Sequence, residues 1–136
     1  MKQKYILAYL DMAERFGQTS EATRLKVGAL LVKNDCVISQ GCNGQAPKWH
    51  TEVCEDEHGK TLPTVRHAEV AALEKLQRSH ESSVGATMFI SHAPCEMCAI
   101  KIVGAGIKEV YYRHVYRCDK GIEYLQRHGV FVKRVE

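Results

Sequence analysis

The first segment with a regular pattern of apolar positions runs from Lys4 to Phe16. Apolar side chains recur there at spacings of three and four residues: Ile6, Leu7, Leu10 and Ala13. This period is typical of an amphipathic helix with one buried face, and Gly17 supplies a helix-ending signal. The chain is therefore predicted to begin with a helix over residues 4–16.

Strand patterns and a long aperiodic segment follow this helix. Residues 27–41 contain two short β-rich runs, and Asn34 with Asp35 between them predicts a hairpin turn. Residues 42–66 show neither the helical nor the strand period and contain two prolines, so they are predicted to form a long loop. A loop of this length in a compact domain is usually functional or disordered.

The second half of the chain alternates helix and strand patterns. Helices are predicted over residues 67–77, 95–103 and 120–129, and strands over residues 86–92, 107–113 and 130–135. The first of these helices is expected to bury Val70, Leu73 and Leu76. A helix, a hairpin and then alternating helices and strands predict an α/β sandwich around a five-stranded mixed sheet. Without a repeat or a linker, residues 1–136 are predicted to form one domain.

Composition agrees with a single domain and changes how the cysteines are interpreted. With 136 residues and 45% hydrophobic content, the chain can bury a core without disulfides. Charged residues interrupt the apolar N-terminal segment, and no apolar run reaches membrane-spanning length. We therefore expect a soluble protein of the cytoplasm, or of the host cytoplasm if it is viral, with no membrane partner. In that compartment a close cysteine pair indicates metal binding or catalysis more often than a disulfide.

The net charge is small and spread along the sequence. The formal value is +3, with no block of five like charges and no basic run interleaved with aromatic residues. This distribution weakly favours small anions and gives no indication of a nucleic-acid partner.

The segment "PCEMC" carries the strongest candidate chemistry. Cys95 and Cys98 are three residues apart, so both side chains lie on one face at the start of a helix, where the macrodipole favours thiolates. Two thiolates leave a tetrahedral zinc ion two ligands short, and a neutral imidazole from His67 can supply the third. The fourth position would belong to water. The alternatives are a redox-active pair or half of a structural site with four protein ligands.

Glu69 gains a role if this site holds zinc. Two residues turn a helix by about 200°, so Glu69 is not expected to share the metal with His67. From the first turn, its carboxylate can instead reach a water molecule at the metal and transfer protons as the catalytic acid and base. Its other interpretation is an acidic residue that stabilises the helix N-terminus.

Together, "HAEV" at 67–70 and "PCEMC" at 94–98 resemble the H-x-E and P-C-x-x-C motifs of zinc-dependent base deaminases. Three further segments resemble deoxycytidylate deaminases of the cytidine/deoxycytidylate deaminase superfamily: "VGALLVKNDCVISQGCNG", "CED" and "GAGIKEVYY". Cys42 stands where that family usually has tyrosine, and "PCEMCA" is closer to the transfer-RNA adenosine deaminases. The resemblance implies a three-layer α/β/α cytidine-deaminase-like sandwich.

The resemblance also implies the reaction, which is hydrolysis of dCMP to dUMP and ammonia for thymidylate synthesis. One catalytic zinc ion, held by His67, Cys95 and Cys98, would supply hydroxide to C4 of cytosine. Glu69 would move the water proton to ring N3 and then protonate the departing amine. Three rival functions remain open: a transfer-RNA adenosine deaminase, a free cytidine or deoxycytidine deaminase, and a zinc-stabilised binding module.

Further residues are predicted to contact the substrate. Asn43 matches the family asparagine expected at the deoxyribose hydroxyl, although an asparagine before glycine is also a common left-handed turn residue. Arg24 and Lys26 are candidate phosphate ligands, unless they are ordinary solvated charges. Tyr116 and Arg117 are alternative phosphate contacts, and the other predicted substrate-binding residues are Ala68 and His92.

Two more expectations come from the family resemblance. Many deoxycytidylate deaminases are homohexamers activated by dCTP and inhibited by dTTP, and the matching nucleotide loop comprises Gly41, Cys42, Asn43 and Gly44. Some relatives carry a second, structural zinc ion near the middle loop, where this chain has four candidate ligands: Cys36, His50, Cys54 and His58. The polar surroundings favour unrelated loop residues over that second site.

Overall fold

The computed structural model describes all 136 residues and confirms every predicted helix and strand, with bounds that differ by a few positions at most. The elements are α1 (Gln3–Gly17), β1 (Gly28–Lys33), β2 (Cys36–Cys42), α2 (Ala68–Leu76), β3 (Thr87–His92), α3 (Glu96–Gly104), β4 (Glu109–His114), α4 (Lys120–Arg127) and β5 (Phe131–Arg134). None of the four helices is long and apolar enough to cross a membrane.

The sheet is mixed because its connections are of two kinds. Its strand order is β2-β1-β3-β4-β5, with β1 antiparallel to both of its neighbours and β3, β4 and β5 parallel. A two-residue turn joins β1 to β2, and both of its residues are left-handed, with φ of 51° at Asn34 and 60° at Asp35. Such a turn returns the chain antiparallel, whereas the helical crossovers through α3 and α4 make the following strands parallel.

Helices cover both faces of this sheet, so the fold has three layers with the sheet in the middle. On one face, α1 contributes Ile6, Leu10 and Ala13 to a core that includes Phe89 and Tyr111, whose rings stack 5.4 Å apart. On the other face, α2, α3 and α4 enclose the larger core, with side chains such as Met88, Ile90, Ile102, Val110 and Leu125. The predicted α/β/α sandwich with five strands is confirmed.

The buried face of α2 differs from the prediction. Leu76 is buried as expected, but Val70 and Leu73 are only half-buried and line an open cleft of about 590 Å³ that also borders α3. The helix instead presents alanines to the core: Ala68, Ala71 and Ala72. The cause is close packing against Gly41 of β2, where an added Cβ would lie 2.5 Å from Ala72 N and 2.6 Å from Ala68 O.

Replacing Gly41 by Ala is expected to lower the free energy of unfolding by roughly 1–3 kcal/mol, because the new methyl group overpacks this contact. Urea denaturation of the purified protein measures the change. The matched control is Gly44→Ala, since a Cβ at Gly44 meets no atom within 4 Å. Equal stability of the two variants would contradict the close approach of β2 and α2.

The middle loop is irregular, as predicted, but it is held at several points. At its ends, Gly44 and Arg66 form a bridge in which each backbone N–H donates to the other residue's carbonyl, at 3.0 and 2.8 Å. Farther along, Glu55 pairs with Thr61, and Cys54 is 1% exposed. The Gly44–Arg66 bridge fixes the chain directly before His67, so the loop delivers that residue to a defined place.

Candidate metal centre and active-site cavity

The three predicted metal ligands lie together where α2 and α3 begin. His67 is the N-cap of α2 and Cys95 is the N-cap of α3, both with extended backbone (ψ of 157° and 171°) rather than the predicted first helical residues. Cys98 lies in the first turn of α3 and is buried. The Nδ1 atom of His67 is 3.3 Å from Sγ of Cys98 and 3.6 Å from Sγ of Cys95.

These separations fit a tetrahedral zinc ion. Zinc bonds of about 2.3 Å to sulfur and 2.0–2.1 Å to nitrogen place two ligands of one tetrahedron about 3.6 Å apart. The donor set of two cysteine sulfurs and one imidazole nitrogen is also one that zinc prefers. All three donor atoms lie within 4.8 Å of one another, and both cysteines are free of disulfides. The protein therefore has a three-ligand zinc site.

Even without a metal ion, the neighbouring side chains favour the thiolate form of Cys95. A hydrogen bond from the Cys98 thiol lowers the pKa of Cys95 to about 4, with a further contribution from His67. Donating that hydrogen bond raises the pKa of Cys98, as does burial. The hydrogen bond to Cys95 also raises the pKa of His67. Cys95 is thus ready to bind a cation at neutral pH.

Glu69 lies beside this site without joining the ligand group. Its side chain is 4% exposed, and it lines the same cavity as His67 and Cys95. Burial raises the pKa of its carboxyl group, since the charged form loses solvation. The group of metal-ligating side chains contains only three members, so no fourth protein ligand converges on the site. A closed structural site, which one rival function requires, is not what the structure shows.

A cavity of about 450 Å³ opens above these residues. Its walls include most of the residues predicted to bind substrate: Arg24, Asn43, Ala68, His92 and Tyr116, together with Arg117. Lys26 does not line it, because its Nζ atom donates a hydrogen bond to the Ser20 carbonyl at 2.7 Å. Of the two candidate phosphate ligands, the structure therefore places Arg24 at the cavity and gives no support to Lys26.

The two arginines at the cavity have no carboxylate partner. Arg24 and Arg117 are both exposed and are absent from the ion pairs of the chain, which involve Arg66, Arg113 and Arg134 among the arginines. Arg117 lies over the ring of Tyr116, with 5.7 Å between the guanidinium carbon and the ring centroid. Two unpaired guanidinium groups can thus meet an anion in the cavity.

Asn43 uses its amide to organise the cavity wall. Its Oδ1 atom accepts a hydrogen bond from Val27 N at 2.9 Å, and its Nδ2 atom donates to Leu25 O at 2.7 Å. Its φ angle is not positive, so the alternative of a left-handed turn residue is wrong. Both partners also line the cavity. Asn43 therefore holds residues 25–27 in place, and one amide hydrogen remains for another acceptor.

A buried hydrogen-bond chain orients His92. Gly28 N donates to Ser91 Oγ at 3.0 Å, and Ser91 Oγ lies 2.9 Å from Nδ1 of His92. Because Ser91 is 1% exposed, its hydroxyl hydrogen needs a protein acceptor, and Nδ1 is the one in reach. Neutral His92 then carries its proton on Nε2. Burial lowers the pKa of His92, and the nearby His114 adds to this shift.

The sequence pattern did not identify the contribution of the middle loop. Cys54, Glu55, Thr61 and Val65 line the cavity although they lie in the aperiodic segment. Their only signal was the length of that loop and the family-like "CED" within it. The four candidates for a second zinc site do not converge: Cys36 is at the start of β2, Cys54 is buried, and His50 and His58 are exposed.

Comparison with known proteins agrees with this geometry. The family model "Cytidine and deoxycytidylate deaminase zinc-binding region" matches residues 2–114. A dCMP deaminase from the cyanophage S-TIM5, solved in complex with dCMP and dUMP, is 45% identical, with 99% of each chain covered and a TM-score of 0.97. The deoxycytidylate deaminase of Mycobacterium phage D29 is 32% identical over 118 residues, which are 76% of this chain and 90% of the phage protein.

A bacterial relative is longer than this chain. ComE operon protein 2 of Bacillus subtilis (strain 168) is 34% identical over 124 residues, covering 86% of this chain and 64% of the relative. This chain therefore matches just under two thirds of that relative's length. Since the family model covers most of the chain and its zinc ligands converge in the structure, the chain belongs to the cytidine and deoxycytidylate deaminase family.

Proposed function

We propose that the protein hydrolyses dCMP to dUMP and ammonia. The observation that carries this proposal is one cavity that combines the zinc site, the buried Glu69 carboxylate and two guanidinium groups without carboxylate partners. The zinc site and Glu69 suit hydrolysis of an amino group on a base, and the arginines suit a phosphate. The likeness to a dCMP deaminase solved with dCMP and dUMP supports the same substrate.

Each side chain has a distinct part in this reaction. Zinc bound by His67, Cys95 and Cys98 would supply Lewis-acid activation of water. Glu69 accepts one proton from the attacking water and delivers it to N3 of cytosine, and it then moves the second proton from the new C4 hydroxyl group to the leaving amino group. Water thereby adds oxygen at C4 while the C4–N4 bond breaks, which gives dUMP and ammonia.

The remaining predicted residues bind the nucleotide. Arg24 pairs with the 5′-phosphate, and Tyr116 and Arg117, which line the same cavity, are further phosphate contacts. Asn43 offers its free amide hydrogen to the deoxyribose hydroxyl. Ala68 and His92 border the base, where the Nε2 proton of His92 is available as a donor.

An ultraviolet assay with four substrates tests the proposal: dCMP, dCTP, deoxycytidine and a transfer-RNA anticodon stem. We expect turnover of dCMP with kcat/KM at least about 100-fold above that of deoxycytidine, because a site built for a phosphate loses that contact with the nucleoside. Equal use of dCMP and deoxycytidine would favour a nucleoside deaminase. Turnover of the anticodon stem alone would favour a transfer-RNA adenosine deaminase.

Replacing Arg24 by Ala is expected to raise KM for dCMP by about 10- to 100-fold, which is the effect of losing a charge-assisted hydrogen bond to phosphate. The kinetic constants for deoxycytidine should change far less, because that substrate has no phosphate. Arg78→Ala is the control, since Arg78 is exposed and lies outside the cavity. A parallel loss with both substrates would contradict phosphate binding by Arg24.

We further propose that the enzyme is a homohexamer activated by dCTP and inhibited by dTTP through Gly41, Cys42, Asn43 and Gly44. Gly41 is buried beneath α2, and the Asn43 amide holds the neighbouring wall, so a nucleotide would meet mainly Cys42 and Gly44. The velocity measured against dCMP concentration, with and without dCTP, tests the regulation. Light scattering of the purified protein tests the number of subunits.

A further inference from the structure

The carboxylate of Glu55 lies among three donors from the segment that carries Arg24. Its two oxygens accept hydrogen bonds from Thr23 N at 3.2 and 3.1 Å, from Thr23 Oγ1 at 3.0 Å and from Arg24 N at 3.2 Å. Glu55 lies in the middle loop, more than 30 residues away along the sequence. Two separate parts of the chain therefore meet through this side chain at the cavity wall.

We propose that Glu55 is a positioning residue for recognition of the substrate phosphate, acting through Arg24. This inference depends on the proposed function, since it names a residue that prepares the same nucleotide site. The hydrogen bonds of Glu55 fix the backbone at Thr23 and Arg24, and that backbone fixes where the Arg24 guanidinium enters the cavity. Glu55 itself need not touch the substrate.

The middle loop is built so that Glu55 stays in place. Cys54 is 1% exposed and anchors the loop in the protein, and its carbonyl accepts a hydrogen bond from Leu62 N at 2.8 Å. Glu55 and Thr61 form a backbone bridge, and Asp56 Oδ1 accepts hydrogen bonds from His58 N and Lys60 N at 2.8 and 2.9 Å. The carboxylate is thus presented from a small closed hairpin over residues 54–62.

The type of contact matters because Glu55 binds backbone amides and a hydroxyl group rather than a guanidinium group. An ion pair between Glu55 and Arg24 would occupy the guanidinium group that the phosphate needs, and the chain has no such direct pair, although the two charges are near enough to attract each other. Burial raises the pKa of Glu55, but the hydrogen bonds from Arg24 N and Thr23 outweigh it together with a smaller effect of the Arg24 charge, so the net shift is downward. The carboxylate is therefore ionised at neutral pH and a strong acceptor.

Removing Glu55 has two opposed effects on phosphate binding. The loss of a nearby negative charge would strengthen binding of the phosphate dianion, whereas the loss of the hydrogen bonds would release the Arg24 segment. Exposed charges interact weakly in water, but a small misplacement of a binding group can lower rates by up to about 100-fold. We therefore expect the positioning effect to be the larger one.

The test compares E55A and E55Q with the wild type and with the control E52A. Glu52 lies in the same loop, is exposed and has no side-chain partner among the hydrogen bonds or ion pairs, so E52A removes the same charge without the contacts. We expect E55A to lower kcat/KM for dCMP by about tenfold, mainly through KM, with a much smaller change for deoxycytidine. E55Q keeps the size and one acceptor oxygen, so its loss should be intermediate.

A double-mutant cycle decides whether Glu55 acts through Arg24. In an R24A background, E55A should cause little further loss with dCMP, because the group that it positions is already absent. A full additional loss, an equal loss with both substrates, or a gain in dCMP affinity would overturn the inference. If E55A fails to fold, the same comparisons with E55Q decide it. A wild-type protein inactive on dCMP would instead contradict the proposed function, which separates the two failures.

Discussion

Replacing Glu69 by Gln is expected to lower kcat for dCMP by about 10³-fold, with zinc content and fold unchanged. The amide has nearly the same shape as the carboxylate but cannot accept and return a proton. Glu69 is 4% exposed and lies in the cavity beside His67, so bulk water has poor access to take over the proton transfer. Because Glu69 is not a member of the metal-ligating group, the variant should keep one zinc ion per chain.

The measurements are kcat for dCMP, zinc content by mass spectrometry and the circular-dichroism spectrum of each protein. The matched control is Glu96→Gln, since Glu96 lies between the two cysteine ligands but is exposed and outside the cavity. It should retain nearly full activity. An E69Q enzyme with wild-type turnover would remove Glu69 from the proton transfer, and loss of zinc from E69Q would make it a metal ligand.

The fold could be predicted because each element carries its own local signal. The spacing of Ile6, Leu7, Leu10 and Ala13 depends on one helix alone. The left-handed turn between β1 and β2 depends only on the adjacent residues Asn34 and Asp35. At the metal site, each of the two motifs is also local, although 28 residues separate His67 from Cys95. Cys95 and Cys98 belong to one helical turn, and His67 begins a helix whose next acidic residue is Glu69.

What could not be predicted depends on contacts between distant segments. The buried face of α2 is set by Gly41 in another element, which requires alanines rather than Val70 or Leu73 at the contact. Lys26 and Arg24 are equally good candidates in the sequence. In the structure, however, the Lys26 ammonium group donates a hydrogen bond to the Ser20 carbonyl, outside the cavity. Glu55 lies in an aperiodic loop, and its partners Thr23 and Arg24 precede it by more than 30 residues, with β1 and β2 in between. No local sequence pattern could therefore indicate this contact.

The metal site is also supported by parts of the fold that never touch zinc. An added Cβ at Gly121, in the first turn of α4, would lie 2.1 Å from Pro94 O and 2.9 Å from Cys95 C. Helix α4 therefore packs directly against the backbone that presents Cys95. The positions of the zinc ligands therefore depend on the packing of α2, α3 and α4 against one another. For this reason zinc binding is expected to stabilise the folded protein.

Replacing Cys98 by Ser should abolish both zinc binding and activity. Cys98 is buried and its sulfur lies 3.3 Å from the His67 nitrogen, so the substitution removes the least accessible ligand and leaves only two. Without metal the water activation needed for hydrolysis is lost, and turnover of dCMP should fall below detection.

Zinc should also stabilise the folded wild-type protein. At 1,000 times its dissociation constant it should add about 4 kcal/mol to the free energy of unfolding, and C98S should gain none.

Thermal unfolding with zinc and with a chelator separates these effects. The wild type should unfold at a lower temperature after chelation, whereas C98S should unfold at one temperature in both buffers. Cys36→Ser is the control, because Cys36 is exposed and no other metal ligands converge on it, so it should keep one zinc ion and full activity. A zinc-loaded, active C98S enzyme would contradict the three-ligand site, since two remaining ligands cannot hold the ion against a chelator.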